Sequence, residues 1–233
     1  MRNILITGHS SGIGKQIAKI ALNDQNKIFG ISRNKSDING ITDEFRADLS
    51  DINGIMKATN WLQNKKIDIL IHSAGSNEIK SIDECKIIDY QNSYNLHFLS
   101  ASQLIKPILK SMKDNNRGRL IFISSIWSEI ACHSRGAYCA SKSALNSLAR
   151  QIAVEYSDTK ITSQCVVLGF VDTPLSKKTE NDSRLKFAKE RISCEGNIPN
   201  PLEIADEIYR LATSENSYLN GSKFYLDGGI LSR

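Results

Sequence analysis

The chain lacks the cysteine pattern of a disulfide scaffold or a zinc site. Its five cysteines, Cys85, Cys132, Cys139, Cys165 and Cys194, are odd in number and widely spaced. No two form C-x-x-C and none stands at finger spacing from a histidine, so reduced thiols and no metal are expected. Cys139 adjoins Tyr138, but neighbours in sequence point apart on a helix, so it is not read as a nucleophile. No apolar run reaches membrane length, and the N-terminal run is too short for a signal peptide, which makes a cytoplasmic protein the expectation. A long basic block is missing as well. The net charge of +5 is spread among 233 residues with both signs intermixed, which argues against a nucleic-acid or membrane partner. Repeats, low-complexity tracts and Gly/Pro/Ser linkers are absent, so a single domain over 1–233 is expected.

What the chain does have is alternation. The runs "NILIT" (3–7), "KIFGIS" (27–32), "FRA" (45–47), "DILIHS" (68–73), "RLIFIS" (119–124), "TSQCVVL" (162–168) and "KFYL" (223–226) read as buried strands. Between them, "GKQIAKIALN", "INGIMKATNWLQN", "YNLHFLSASQLIKPILKSM", "ASKSALNSLARQIAVEY" and "PLEIADEIYRLAT" carry helical spacing. Strand and helix in turn mean parallel strands with right-handed crossovers. The expected fold class is α/β: a Rossmann-type doubly wound sheet of about seven strands with helices on both faces. Only 172–200 breaks the pattern. It is polar, charged and bounded by prolines, as lids over binding sites often are.

Two stretches carry chemistry. "ILITGHSSGIG" puts Gly8, Gly12 and Gly14 where the first strand turns into the first helix. Glycine lets the backbone turn sharply and approach a pyrophosphate, which the helix N-terminus attracts. "RGAYCASKSAL" sets Tyr138 and Lys142 four residues apart, on one helix face. A cation beside a phenol stabilises phenolate, which suits a tyrosine that exchanges a proton near neutral pH.

"TGHSSGIG" together with "Y-C-A-S-K" resembles the short-chain dehydrogenase/reductase family nearly end to end, and within it 3-oxoacyl-acyl-carrier-protein reductases and similar ketoreductases. The resemblance implies NAD or NADP on the T-G-x-x-x-G-x-G loop, through Gly8, Ser10, Ser11, Gly12, Ile13 and Gly14. In "ADLSD", Asp48 would hold adenine and Leu49 would flank it. "HSAG", with Ala74 and Gly75, stands for the family's N-N-A-G. In "LGFVDTP", Val171 and Thr173 would touch the nicotinamide amide. "YLDGG" matches the family ending. Ser73 and Leu168 depart from the usual asparagine and proline.

The resemblance also implies a catalytic set. Thirteen residues before Tyr138 lies Ser125, which would hydrogen-bond the substrate oxygen while Tyr138 supplies the proton. Lys142 would tune Tyr138 and bind the nicotinamide ribose, and Asn95 would hold a water linking Lys142 to solvent. Among other residues, His9 reads as a solvated loop histidine, with a phosphate contact as the alternative, and His97 as turned away from Asn95, into a core or subunit contact. His72 reads as a substitute for a structural asparagine. His133 and Arg135 border the substrate side, and Trp127 is a pocket wall or a packing residue. At the end of the second strand, "GISRNK" has Ser32 in place of the acid that NAD enzymes tend to carry, followed by Arg33. Arginine's fork suits a 2′-phosphate, so NADP is expected over NAD. The implied activity is hydride transfer to a carbonyl/alcohol pair on a small-molecule substrate, a 3-oxoacyl thioester or small ketone, in a homotetramer or homodimer. A keto-sugar or secondary-metabolite ketone is the alternative substrate. A non-catalytic NADP-sensing protein is the alternative of another class.

Overall fold

The computed structural model describes residues 1–179, 182–192 and 197–232. Seven parallel strands run in the order β3-β2-β1-β4-β5-β6-β7. They are β1 (Asn3–Thr7), β2 (Lys27–Ser32), β3 (Asp43–Arg46), β4 (Ile69–His72), β5 (Gly118–Ser125), β6 (Ile161–Leu168) and β7 (Lys223–Leu226). The order reverses between β1 and β4. At such a switch point the flanking connections leave in opposite directions and open a crevice at the strands' carboxyl ends.

The near-continuous apolar runs follow from burial on both faces. Leu5, Leu70, Leu120 and Phe122 point to one face, where α2 (Ile52–Trp61), α4 (Ser100–Asp114) and α5 (Gly136–Glu155) cover them. Ile4, Ile6, Ile69, Ile71 and Ile121 point to the other, under α1 (Gly12–Asn23) and α8 (Pro201–Thr213). The last of these helices has a capping box: Asn200 accepts from Leu202 and Glu203 while Glu203 reaches back to Asn200 N.

Three elements differ from expectation. The third strand begins at Asp43 rather than Phe45, because it lies at the sheet edge, where half-exposed positions need no apolar side chain. Its Phe45 is held by stacking on Trp61 at 5.6 Å. The helix before β5 starts earlier, with α3 (Ile87–Tyr94) running through a wide π turn at Asn95–Leu99 into α4. Finally, 172–200 is not wholly irregular: it contains α6 (Pro174–Thr179) and α7 (Asp182–Arg191). Residues 180–181, 193–196 and the side chains of Lys178 and Arg184 lie outside what is described, so Cys194 does too.

His72 ends β4 in the fully buried polar role expected of an asparagine substitute. Thr7 Oγ1 lies 3.0 Å from its Nδ1, and Ser100 Oγ lies 3.4 Å from its Nε2. Ser100 spends its proton on Leu96 O at 2.6 Å, so Nε2 is the donating nitrogen and Nδ1 accepts from Thr7. Burial, aided by the Lys142 charge, pushes the imidazole down to about 3.

This burial makes the fold sensitive to acid. Below pH 6.5 the unfolded chain protonates at His72 and the folded chain does not, until about pH 3. Stability therefore falls with pH through that window, by about 1.4 kcal/mol per pH unit for each such proton. His72→Asn keeps a polar side chain there and removes the titration. Urea unfolding between pH 6.5 and 4.5 should give a shallower decline for the variant. Parallel slopes would mean that His72 does not drive acid lability.

Candidate active site

The turn from β1 into α1 is built on close approach. Gly8 (φ +73°) and Gly12 (φ +54°) occupy the left-handed region that disfavours side chains. A Cβ on Gly8 would sit 3.0 Å from Ala74 Cα, so the Ser73–Ala74 backbone presses directly on the turn. A Cβ on Gly14 would come within 2.6 Å of the Gly8 carbonyl oxygen. Gly14 is buried and does not line the cavity; it lets α1 pack against the loop. At the start of α1, Ser11 makes no side-chain cap bond and the first turn has no acidic residue. Its N–H groups thus face an electropositive gap suited to a pyrophosphate.

A cavity of about 470 Å³ opens over this turn, and every other expected cofactor residue lines it. At one end Gly8 N donates to Ile31 O (2.8 Å), tying the loop to the end of β2. Ser32 is buried and its hydroxyl donates to Asn34 O at 2.6 Å, while Arg33 is exposed at the rim. Asp48 lies opposite, its Oδ1 accepting from Ser50 N and Oγ at 2.9 and 2.7 Å. Burial raises its pKa, but the Ser50 bonds and the Arg33 charge outweigh this and hold the carboxyl below the usual range. His9 is not solvated as expected. It is wholly buried, its Nε2 3.0 Å from Glu44 Oε2, and its ring fills the space that a side chain on Gly30 would take. The imidazole thus braces the glycine loop against β3.

At the other end Ser125, Tyr138 and Lys142 line the same cavity. Ser125 terminates β5, and its Oγ accepts from Trp127 N at 3.3 Å. Tyr138 falls in the first turn of α5, which begins four residues before the expected apolar spacing. Lys142, one turn on, has its Nζ 5.8 Å from the Tyr138 ring centroid. It is 4% exposed, and its ammonium donates to Ile123 O at 2.8 Å. Burial pushes it down to about 8.

Asn95 is not brought into this group. Its amide donates to Ser50 O (2.9 Å), and Asn92 and Leu96 face the cavity from that stretch instead. Residues 92 and 96 share a helix face, and Asn95 stands about 100° away from Leu96. His97 does point away from Asn95, into the core as anticipated, and meets the Tyr138 ring edge to face at 5.4 Å. Its Nε2 accepts from Ser76 N at 3.3 Å, and its Nδ1 lies 2.8 Å from Ser141 Oγ, whose proton goes to Tyr138 O. The Nδ1–H tautomer follows. Burial, Lys142 and His72 hold its pKa well below the ordinary value. Sequence reading had no signal for this bridge between the β4 turn and α5.

The last wall is the segment after β6. Val171 is 5% exposed, and Thr173 faces Gly12 across the cavity. Ser176, unremarked in the sequence, fastens this wall: its Oγ donates toward Val171 O (2.7 Å) and its N donates to Thr173 Oγ1 (3.1 Å). Trp127 does both things considered for it. It lines the cavity and packs against Phe170 at 6.0 Å and Phe187 at 6.4 Å. Leu168, where proline is usual, continues the β6–β7 ladder opposite Leu226.

A doubly wound parallel sheet with a glycine turn at its switch point and a polar cavity above it defines a nucleotide-binding α/β protein. A short chain dehydrogenase family model matches residues 2–184, and the chain belongs to that family. Its members make it an oxidoreductase that uses a nicotinamide cofactor. A curated relative, the 3-oxoacyl-acyl-carrier-protein reductase of Buchnera aphidicola, is 28% identical and aligns over 97% of this chain and 95% of its own. Two solved structures share the fold. The L-sorbose reductase of Gluconobacter frateurii, complexed with NADPH and L-sorbose, is 23% identical with a TM-score of 0.87, covering 100% of this chain and 97% of that one. A 4-hydroxyisoleucine dehydrogenase complexed with NADH is 24% identical with a TM-score of 0.92, covering 100% of both.

The buried ammonium has a measurable consequence. Between pH 8 and 10.5 the unfolded chain keeps its Lys142 proton and the folded chain gives it up, so stability rises with pH there. Relative to Lys142→Met, the wild type should gain on the order of 3 kcal/mol across that window. Chemical denaturation of both proteins from pH 7.5 to 10.5 measures the difference. A constant gap would mean that Lys142 titrates normally.

Proposed function

We propose that the protein is an NADP-dependent ketoreductase in which Tyr138 protonates the oxygen of a substrate carbonyl. The observation that carries this reading is the convergence of Ser125, Tyr138 and Lys142 on the cavity that the glycine turn opens. The nicotinamide, when bound, supplies the hydride. Ser125 Oγ, at the carboxyl end of β5, hydrogen-bonds the substrate oxygen as negative charge develops on it. The Tyr138 hydroxyl gives that oxygen its proton, and the Lys142 ammonium favours the phenolate left behind. The Ile123 carbonyl fixes the ammonium's position, and neutral His97 supports the tyrosine ring from behind without competing for the proton. Trp127 and Phe170 form an apolar wall for the rest of the substrate. Pro174, Leu175 and Ser176 supply one edge of the cavity, which supports reading 172–200 as its lid.

The 3-oxoacyl thioester is the favoured substrate class, supported by the Buchnera reductase's name and by the apolar wall. The family resemblance adds a cytoplasmic homotetramer or homodimer. Tyr138→Phe keeps the ring packed on His97 and removes the proton. It should lower kcat by at least about a hundred-fold while NADPH affinity, read by fluorescence titration, stays within a few-fold. Retention of most of the wild-type rate would remove Tyr138 from the mechanism.

The choice of NADP rests on Ser32 and Arg33. The cavity's adenosine end has a serine in place of the acid that would repel a 2′-phosphate, and Arg33 stands at its rim. Arg33→Ala should cost NADPH on the order of ten- to a hundred-fold in affinity through lost charge-assisted bonds, and NADH little. Adding Ser32→Asp should reverse the preference. The readout is kcat/KM for both cofactors with one fixed ketone. Equal losses for the two would assign Arg33 to the fold and leave NADP without its main support.

A further inference from the structure

A second cleft lies at the opposite end of the sheet, among the amino ends of its central strands. It has a volume of about 310 Å³ and gathers Arg2, Arg117, Arg119 and Lys160 against only two carboxylates, Asp68 and Glu215. Arg119 and Ser125 are six residues apart along β5, which at ~3.3 Å per residue separates this cleft from the nucleotide cavity by about 20 Å.

Its floor holds donors with nothing to donate to. Arg119 is 8% exposed; its Nη2 donates to Ser214 O, but its Nη1 is buried without a partner. Thr162, 4% exposed, likewise has a buried, unpartnered Oγ1 lining the cleft. Burial lowers the Arg119 pKa; Glu215 opposes this, and the Arg2 and Arg117 charges lower it further. A desolvated guanidinium beside two like charges is unfavourable unless an anion completes it, because an unmade buried hydrogen bond forfeits hydration without replacement.

Glu215 meets that need only partly. One of its oxygens, Oε1, is shared between Arg2 (2.6 Å) and Arg117 (2.5 Å), and the side chain is 69% exposed. Asp68 is committed elsewhere, accepting from Asn3 N at 2.8 Å. Lys160 stands exposed at the rim, with no ion pair among the described residues.

We propose that this cleft binds a small, multiply charged oxyanion of the phosphate class, which displaces the Glu215 carboxylate. Arg119 and Thr162 donate from the floor, and Arg117 and Lys160 close from the rim. The concave shape and small volume suit one phosphoryl group or a phosphorylated small molecule rather than a polymer.

Isothermal titration of the full-length protein with inorganic phosphate, at constant ionic strength set by chloride, tests this. A parallel titration uses glycerol 3-phosphate; whichever anion binds more tightly identifies the source. Saturable binding is expected, with a Tm rise of about 3–5 °C when phosphate is ten times its Kd. Arg117→Gln and Lys160→Gln, at exposed positions that the fold tolerates, should each weaken binding about three- to tenfold. Glu215→Gln should strengthen it, since the competing carboxylate is gone, and Arg33→Ala in the distant cavity should leave it unchanged. Absence of saturable binding to either anion, indifference to Arg117→Gln and Lys160→Gln, or loss in Arg33→Ala would overturn the proposal.

Discussion

A lysine ammonium held out of water sets the terms for everything at the carboxyl end of this sheet. Lys142 is almost wholly buried, and its bond to the Ile123 carbonyl is what the fold offers in exchange for lost hydration. The bond joins the second turn of α5 to the last residues of β5, so the helix that carries Tyr138 cannot drift from the strand that carries Ser125. The same charge dictates its neighbourhood. His72 and His97 both stay neutral, since a second buried cation beside Lys142 would be prohibitively unfavourable. As neutral rings, each spends one nitrogen as donor and one as acceptor, which stitches β1, β4, the π turn and α5 into one polar seam.

At the other end of the cavity the constraint is steric rather than electrostatic. Gly8, Gly14 and Gly30 each occupy a place where a Cβ would strike a neighbour: backbone at Gly8 and Gly14, the His9 ring at Gly30. This close approach brings the α1 N-terminus to the switch point, and the contact of buried His9 with half-buried Glu44 keeps it there. The polar seam and the steric seam meet at Ala74, whose N–H donates to the Thr7 hydroxyl while its Cα backs Gly8. Ala74 itself lines the cavity between its two ends.

Much of this was legible in order along the chain. Alternating apolar runs and amphipathic stretches fixed the parallel sheet because two-faced burial leaves no other arrangement for them. The glycine spacing and the Tyr138–Lys142 interval were equally readable, since each expresses local geometry, a tight turn or one turn of helix. The edge strand starts two residues before its apolar pattern because Asp43 and Glu44 need no burial there. Helices α6 and α7 are not legible in the sequence, because the polar composition of this stretch shows little apolar periodicity.

The sequence by itself therefore determined the layered fold and the place of the glycine loop, and with them Tyr138 and Lys142 on one helix face. All of these are carried by patterns that repeat or recur locally in the chain: apolar periodicity, glycine spacing and one turn of helix. Tertiary structure alone decided that His9 is a buried brace rather than a surface residue, and that His97 joins the β4 turn to the back of Tyr138. It also decided that Asn95 turns to Ser50 and that Arg119 is buried among like charges. Each of those outcomes depends on what a polar side chain meets across tens of residues. A buried hydrogen-bonding group takes whichever partner the packing brings within about 3 Å, and sequence spacing carries no record of that.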